Sequence, residues 1–470
     1  AMHETVSLHC DTAMDLLTED GTGELKEVQT LEPGETLQIA ADSTLFETAN
    51  RIYARPQALS AKTTVDSILR NGKTPVYPGN FEIEKTGEGF LLINELALED
   101  YLRFVVPSEM PASYPAEALK AQAVCARTYA YMHMLHAGLQ NYGAHVDDSA
   151  AFQVYNNIAE ASETSEAVYE TKGQMLLSGG TPVTAYFYST SCGYGTDLTA
   201  WNLTYGDEMA ATGGYLRARN IAKGQMLSDT QNPDAHSSDA QESAEGSKLA
   251  EEDSFATFIK TADADSFEQE DTYYRWRYDT ALDTELLLAN LQVRYEKSPG
   301  NIRRKKGNGY VDEKPEKLGM VTGLTAVKRT TGGVMTELLI EGTKDSYLVC
   351  GEQNIRYVLA GENTEIALSA DYSKKGTING MLPSSFFVIE PVFEESDVVV
   401  PEGKAESETK RDSKRKEEKL VVVSYRLYGG GFGHGIGMSQ NAARRMAQAG
   451  YDYKQILQFF YECSIEGVNE

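Results

Sequence analysis

From Pro115 to about His136 the chain runs almost wholly in good helix formers, and this alanine-rich stretch constrains the fold more than any other. Leu119, Ala123, Ala126, Ala130 and Met134 recur at three- and four-residue steps, which predicts a helix with an apolar stripe facing a core. The small side chains of that stripe let another backbone approach closely. Pro115 stands in the first turn, where its missing N–H would have had no partner. Just upstream, Val105-Val106-Pro107-Ser108-Glu109-Met110-Pro111 places one carboxylate at a proline-bracketed turn ahead of the helix. Arg127 lies off the centre of the stripe, beside Lys120 and Val124, so it either forms a structural salt bridge or points into a cleft.

A second helix-entry loop lies far downstream. Gly429 to Gln440 reads GGGFGHGIGMSQ, with six glycines and one histidine. Glycine reaches backbone conformations closed to other residues. The loop is therefore expected to present a dense surface of backbone N–H groups, with the His434 ring open to a ligand. N–H groups at the start of the helix from Ser439 would hold an acceptor oxygen or an anion of a ligand. One loop with an acid and one with donors suggest the halves of a single site.

Around these loops the text alternates between sheet and helix. The first 75 or so residues carry short apolar alternations such as Glu35 to Ala40, which predict a small β-rich lobe. Gly79 to Glu84 and Gly89 to Asn94 read as a hairpin, and Leu98 to Leu102 as a short helical turn. Strand signals follow at Pro182 to Ser189, Thr336 to Ile340 and Phe386 to Ile389, with Gly332-Gly333 as a hairpin turn. Two helices close the chain, one ending at Gly450 and one opened by Asp452 with Gln455 three residues on, a capping box. The expected organisation is a lobe over 1–75, a catalytic α/β segment over 76–225, an acidic insertion over 226–272, a β-rich lobe over 273–393, a charged loop over 394–420, and a glycine-rich loop with helices over 421–470.

A net charge of −27 argues against nucleic acid or an anionic membrane as a generic partner, because both need basic side chains against phosphate. The charge is unevenly spread: Ser228 to Asp271 is acid-rich and Glu394 to Lys419 is a charged run of both signs, and both lack apolar periodicity and read as solvated insertions. No run of about 18 apolar residues is present to span a bilayer. The five cysteines show no CxxC spacing and read as inert buried thiols.

The order of six phrases resembles the sporulation stage II protein D family of peptidoglycan-cleaving enzymes, whose relatives include amidase enhancers. Besides the Glu109 motif these are Ala126 to Ala130, Gln153-Val154-Tyr155, Tyr188 to Ser191, Tyr215-Leu216-Arg217, Leu382 to Phe386 and the glycine loop, spread from about Tyr77 to Gly467. The resemblance implies an α+β fold in which a helical catalytic segment packs with β-rich lobes and a glycan groove runs between them. It also implies an export or anchor segment, expected to be missing here because Ala1-Met2 reads as a cloning remnant. An extracytoplasmic place follows, with peptidoglycan glycan strands, an amidase and a membrane anchoring protein as partners.

The implied reaction is lytic cleavage of the MurNAc–GlcNAc bond, leaving a 1,6-anhydro ring. A hydrolytic glycosidase needs two carboxylates. A lytic transglycosylase needs one, because the muramic acid hydroxyl attacks its own anomeric carbon. Glu109 is the candidate acid and base, kept protonated by Val106, Pro107, Met110 and Pro111. Substrate contacts are expected from Arg127, Gln153, Tyr155, Ser189, Ser191, His434, Ser439 and Gln440, without a cofactor. Metal-bearing relatives place cysteine and histidine ligands where this chain has Asp147 and Asp148, with His145 nearby, so no zinc site is expected. Cys192 and the serines near it lack a nucleophile elbow. Arg127, Arg217, Arg444 and Arg445 are expected to line a basic cleft for the muramoyl carboxylates. Two rival functions remain: a glycan-binding amidase enhancer that cuts nothing, and a hydrolase that pairs Glu109 with Asp147 or Asp148.

Overall fold

The computed structural model describes residues 2–201, 213–223, 248–398 and 417–467, apart from 20, 21, 48, 137, 138, 150, 151, 156, 157, 263 and 264. The fold is α+β, with antiparallel sheets and separate helical segments. It divides into two compact units. The first comprises Ala1–Tyr186, Met446–Gln458 and Cys463–Glu470, and the second Phe187–Arg445 with Phe459–Glu462.

In the first unit, a five-stranded sheet runs in the order Leu25–Leu31, Met14–Glu19, Arg51–Pro56, Asn80–Thr86 and Gly89–Glu95. Its last two strands are the expected hairpin, paired from Asn80 with Glu95 to Thr86 with Gly89. Burial alternates along the strands, as in Val6–Cys10 and Met14–Glu19. Leu8, Leu16, Ile52 and Ile83 from these strands share one core with Leu102, Val105, Ala123 and Ala126 from the helices.

The acid motif is helical, contrary to the turn expected there. Leu98–Glu109 forms one helix with Pro107 inside it. A proline near a helix end removes one backbone hydrogen bond, and here the helix closes beyond it with Met110 N donating to Val106 O at 2.9 Å. Met110, preceding Pro111, is pushed to extended geometry (φ −133°, ψ 132°) and ends the helix. Glu109 therefore sits at a helix C-terminus.

The long helix Ala116–His136 is buried from Ala118 to Ala130 at every position but Lys120, so the expected single stripe is too narrow a description. It packs against Leu98–Glu109, Ser162–Glu170 and the strand Gln174–Ser178. Met134, placed in the stripe, is 40% exposed. The capping box forms reciprocally, with Gln455 N donating to Asp452 Oδ1 at 2.8 Å and Asp452 N to Gln455 Oε1 at 3.0 Å.

The second unit holds two five-stranded sheets. One runs Gly309–Val311, Ile302–Lys306, Tyr347–Cys350, Met335–Gly342, Val321–Arg329, and Gly332-Gly333 make the turn between the last two. The other runs Lys374–Ile378, Thr364–Leu368, Trp276–Thr280, Glu417–Gly429, Phe387–Val398. Trp276, Met335, Ile340, Val349 and Leu427 form their core with Leu287 and Leu291 of the helix Thr284–Lys297.

Both insertions expected to be solvated carry ordered structure at their ends. Residues 224–247 of the acidic passage and 399–416 of the charged run lie outside the described residues. The rest of the acidic passage contains the helix Glu252–Lys260, anchored by buried Phe255 and Ile259, and a buried Glu268. The flanks of the charged run pair with each other as strands, Glu394 opposite Val421 and Val398 opposite Glu417. Ladder hydrogen bonds hold a strand whatever its side chains, so charge density alone did not identify a loop.

Candidate active site

Within the first unit, Glu109 is half-buried and its Oε1 accepts the Val154 N–H at 2.7 Å. Burial pushes this carboxyl up to about 7, outweighing the Val154 hydrogen bond, which favours the charged form. The carbonyl end of its own helix acts in the same direction as burial. The carboxyl can thus hold a proton near neutrality.

Gln153 and Tyr155, expected to touch substrate, are buried and hold the segment that carries Val154. Gln153 Nε2 donates to the Ala126 carbonyl at 3.3 Å, and Tyr101 Oη donates to Gln153 Oε1 at 3.3 Å. Tyr155 Oη donates to Asn94 at 2.7 Å, and its ring stacks on Tyr101 with centroids 5.1 Å apart. The Gln-Val-Tyr phrase is a bracket that aims a backbone donor at the acid.

Arg127 takes the structural alternative. It is fully buried and grips Glu99 through Nε at 2.7 Å and an Nη at 2.8 Å. Its other donors meet the carbonyls of Val168 and Gln174 and the Thr171 hydroxyl. That places all five guanidinium N–H groups, and none is left for a glycan.

Asp148 pairs with Arg70, and Asp147 accepts the Ser149 N–H at 2.8 Å. Among the described residues no group of three His, Cys, Asp or Glu side chains could hold a metal ion. A cavity of about 810 Å³ is lined by Tyr101, Tyr155, His145, Asp147 and Asp148 among others, and Glu109 is not in its wall.

In the second unit the glycines serve close packing, and the expected N–H surface is largely occupied. The N–H groups of Gly430, Gly431, Phe432 and Gly433 donate to the carbonyls of Phe386, Tyr273, Thr190 and Pro383 at 2.8–3.0 Å. A Cβ at Gly433 would lie 2.7 Å from Tyr188 Cβ, and φ there is +115°. At the helix start, Asn441 N donates to Ser189 O at 3.0 Å and Ala442 N to Ser439 Oγ at 3.4 Å. The motif Leu382 to Phe386 backs the loop, with Ser384 Oγ donating to Gly430 O at 2.7 Å.

His434 is half-buried between the rings of Tyr188 and Trp201, and its Nδ1 accepts the Ile436 N–H at 3.1 Å. Burial and then the Arg356 charge depress it to about 3, against a hydrogen bond to the Phe187 backbone. It is a neutral ring whose Nδ1 fastens the loop, so it is less open than the glycines around it suggested.

Sequence reasoning missed Glu268. This carboxylate is fully buried and accepts the Ser191 N–H at 2.9 Å, the Ser439 hydroxyl at 2.7 Å and the Ser191 hydroxyl. Ser191 and Ser439, expected to bind sugar, are therefore turned inward. Burial pushes Glu268 up to about 7, with Asp271 adding to the rise and the serine donors opposing it. Nothing in the sequence sets it apart from the other acids of the acidic passage. Ser189 and Gln440 remain half-buried. Burial pushes the neighbouring Cys192 thiol up to about 11, which makes it a poor nucleophile.

The expected basic cleft is not formed by the four arginines named for it. Arg217 pairs with Glu462 at 2.9 Å, Arg444 with Asp271, and Arg445 with Asp271 and Glu270 at 3.1 Å each. Arg127 belongs to the other unit.

Residues 86–177 match the family described as SpoIID, Stage II sporulation protein. The chain carries a SpoIID-family domain. That segment contains Glu109, Arg127, Gln153 and Tyr155. The amidase enhancer of Bacillus subtilis is 26% identical over 412 residues, 88% of this chain and 46% of the relative. Stage II sporulation protein D of the same organism is 37% identical over 123 residues, 23% of this chain and 36% of the relative. An uncharacterized protein of Brachyspira hyodysenteriae is 36% identical over 135 residues, 28% of this chain and 36% of the relative. The chain spans between 36% and 46% of the length of these relatives. Among the described residues no helix is long and apolar enough to cross a membrane.

Proposed function

We propose that this chain is a peptidoglycan lytic transglycosylase that cleaves the MurNAc–GlcNAc bond of peptide-stripped glycan, with Glu109 as its acid and base. The observation that carries the reading is a half-buried carboxyl at about 7, braced by the Val154 N–H inside the SpoIID segment. A proton held near neutrality can be delivered to the leaving glycosidic oxygen. The same carboxylate then accepts the proton of the muramic acid hydroxyl as that oxygen closes the 1,6-anhydro ring. Water takes no part. The reading needs no cofactor and places the protein outside the cytoplasm, at the wall.

The test is product analysis. Purified protein with peptide-free glycan is expected to release 1,6-anhydromuramic ends, and Glu109→Gln to release none while still binding glycan. Reducing ends instead would mean a hydrolase.

A second reading is favoured by the breadth of the match to the amidase enhancer, which covers 88% of this chain. In it the protein grips glycan and stimulates a partner amidase without cutting. Intact glycan with both proteins, together with faster release of stem peptides when an amidase is added, would favour that reading.

A further inference from the structure

The glycine loop holds an aromatic ring at the surface of the second unit. Phe432 is 36% exposed, although its backbone is fixed on both sides. Its N–H donates to Thr190 O at 2.8 Å and its carbonyl accepts Thr190 N at 3.1 Å. Gly431 and Gly433 flank it at φ +82° and +115°, conformations that suit glycine and hold the chain in a tight course. The Phe432 ring lies 4.6 Å from the half-buried Tyr273 ring, tilted by 46°.

The ground behind this pair is knit together by Glu268. Through Ser191 the carboxylate holds the loop that carries Thr190, and through Ser439 it holds the far end of the glycine loop. Asn441 Nδ2 closes the joint by donating to Thr190 Oγ1 at 2.9 Å. Half-buried Ser189 and Asn441, both hydrogen-bonded to Thr190, give the joint a polar edge. An apolar face with a hydroxyl and amide rim matches a pyranose ring, which has C–H groups on its face and hydroxyls on its edge.

We propose that Phe432 and Tyr273 form a stacking subsite for one sugar ring of a glycan strand, with Glu268 as the positioning residue that fixes the two loops beneath them. This rests on the glycan reading above. Glu268 itself stays out of contact with the sugar and acts through Ser191, Thr190 and Ser439.

The test is calorimetric titration of peptide-free glycan fragments into the Glu109→Gln protein, where cleavage cannot interfere. Adding Phe432→Ala is expected to weaken binding about threefold to tenfold, the size of a lost ring contact. Phe432→Tyr is expected to restore it. Glu268→Gln is expected to weaken binding similarly, and to add almost nothing on top of Phe432→Ala, because both changes remove the same contact. Full binding by Phe432→Ala overturns the subsite while the glycan reading stands. Additive losses in the double variant overturn the positioning role. If the parent binds no glycan and the unmutated protein releases no anhydro ends, the glycan reading and the subsite fall together.

Discussion

Glu109 in the first unit and Glu268 in the second are both raised to about 7, and in both burial is the leading cause. Their surroundings differ. Glu268 is fully buried beneath a backbone N–H and two serine hydroxyls, whereas Glu109 is half-buried at the end of a helix and braced by Val154. A raised carboxyl that still reaches solvent can exchange its proton with a substrate. One sealed under donors can only hold loops in place. A perturbed acid by itself therefore does not mark a catalyst; access decides the role.

The sharpest way to break this comparison is to remove each carboxyl in turn. Glu109→Gln is expected to lower anhydromuramic release by about a hundredfold to ten-thousandfold, the usual size of a lost general acid. Its melting temperature at neutral pH should stay level or rise. An equal loss of release from Glu268→Gln with glycan affinity unchanged would contradict the division of roles.

Arg127 offers a further contrast inside the first unit, since it was a candidate for substrate contact and turns out to be buried in an ion pair. Arg127→Met is expected to destabilise that unit by about 3–5 kcal/mol, because Glu99 would be left without its partner. Chemical denaturation measures this, and an unchanged midpoint would return Arg127 to the list of substrate contacts.

The pH dependence follows from the sign of the shifts. A carboxyl whose folded pKa is above its unfolded value favours the fold at low pH, and that contribution is lost as pH rises from about 4.5 through about 7. Wild-type protein should therefore lose stability over that window, and Glu268→Gln should flatten the loss in thermal melts taken from pH 4.5 to 8. Cleavage should fall about tenfold per pH unit above 7, as Glu109 gives up its proton. A rate that climbs steadily to pH 9 would place the essential acid elsewhere.

The smallest expected effect lies at the C-terminal capping box. Asp452→Ala should cost about 1 kcal/mol through the helix Tyr453–Phe460, with glycan cleavage unchanged.

Local signals in the sequence were read correctly where they depend on neighbouring residues. The Asp452 box, the Gly332-Gly333 turn and the hairpin ending at Thr86 and Gly89 all form as expected. Signals with two physical meanings were misread. Glycines that suit an exposed donor loop also suit tight packing, and Gly433 against Tyr188 shows the second use. Pro107 looked like a bracket for a turn, yet a helix tolerates it near its end. Glu268 stood in an acid-rich passage where every carboxylate looked solvated, and only the contacts with Ser191 and Ser439 single it out. Glu109 was singled out by the resemblance of its motif to a known family, since a lone glutamate in a turn reads as a surface carboxylate. Its brace, Val154, is a backbone group that no side-chain pattern reveals.

The most direct measurement is a carbon-detected NMR titration of the glutamate carboxyls in wild type and Glu109→Gln. A carboxyl that titrates near 7 and vanishes in the variant is the expected result. A Glu109 signal that titrates near 4.5, like an ordinary solvated glutamate, would contradict a neutral proton donor at this position.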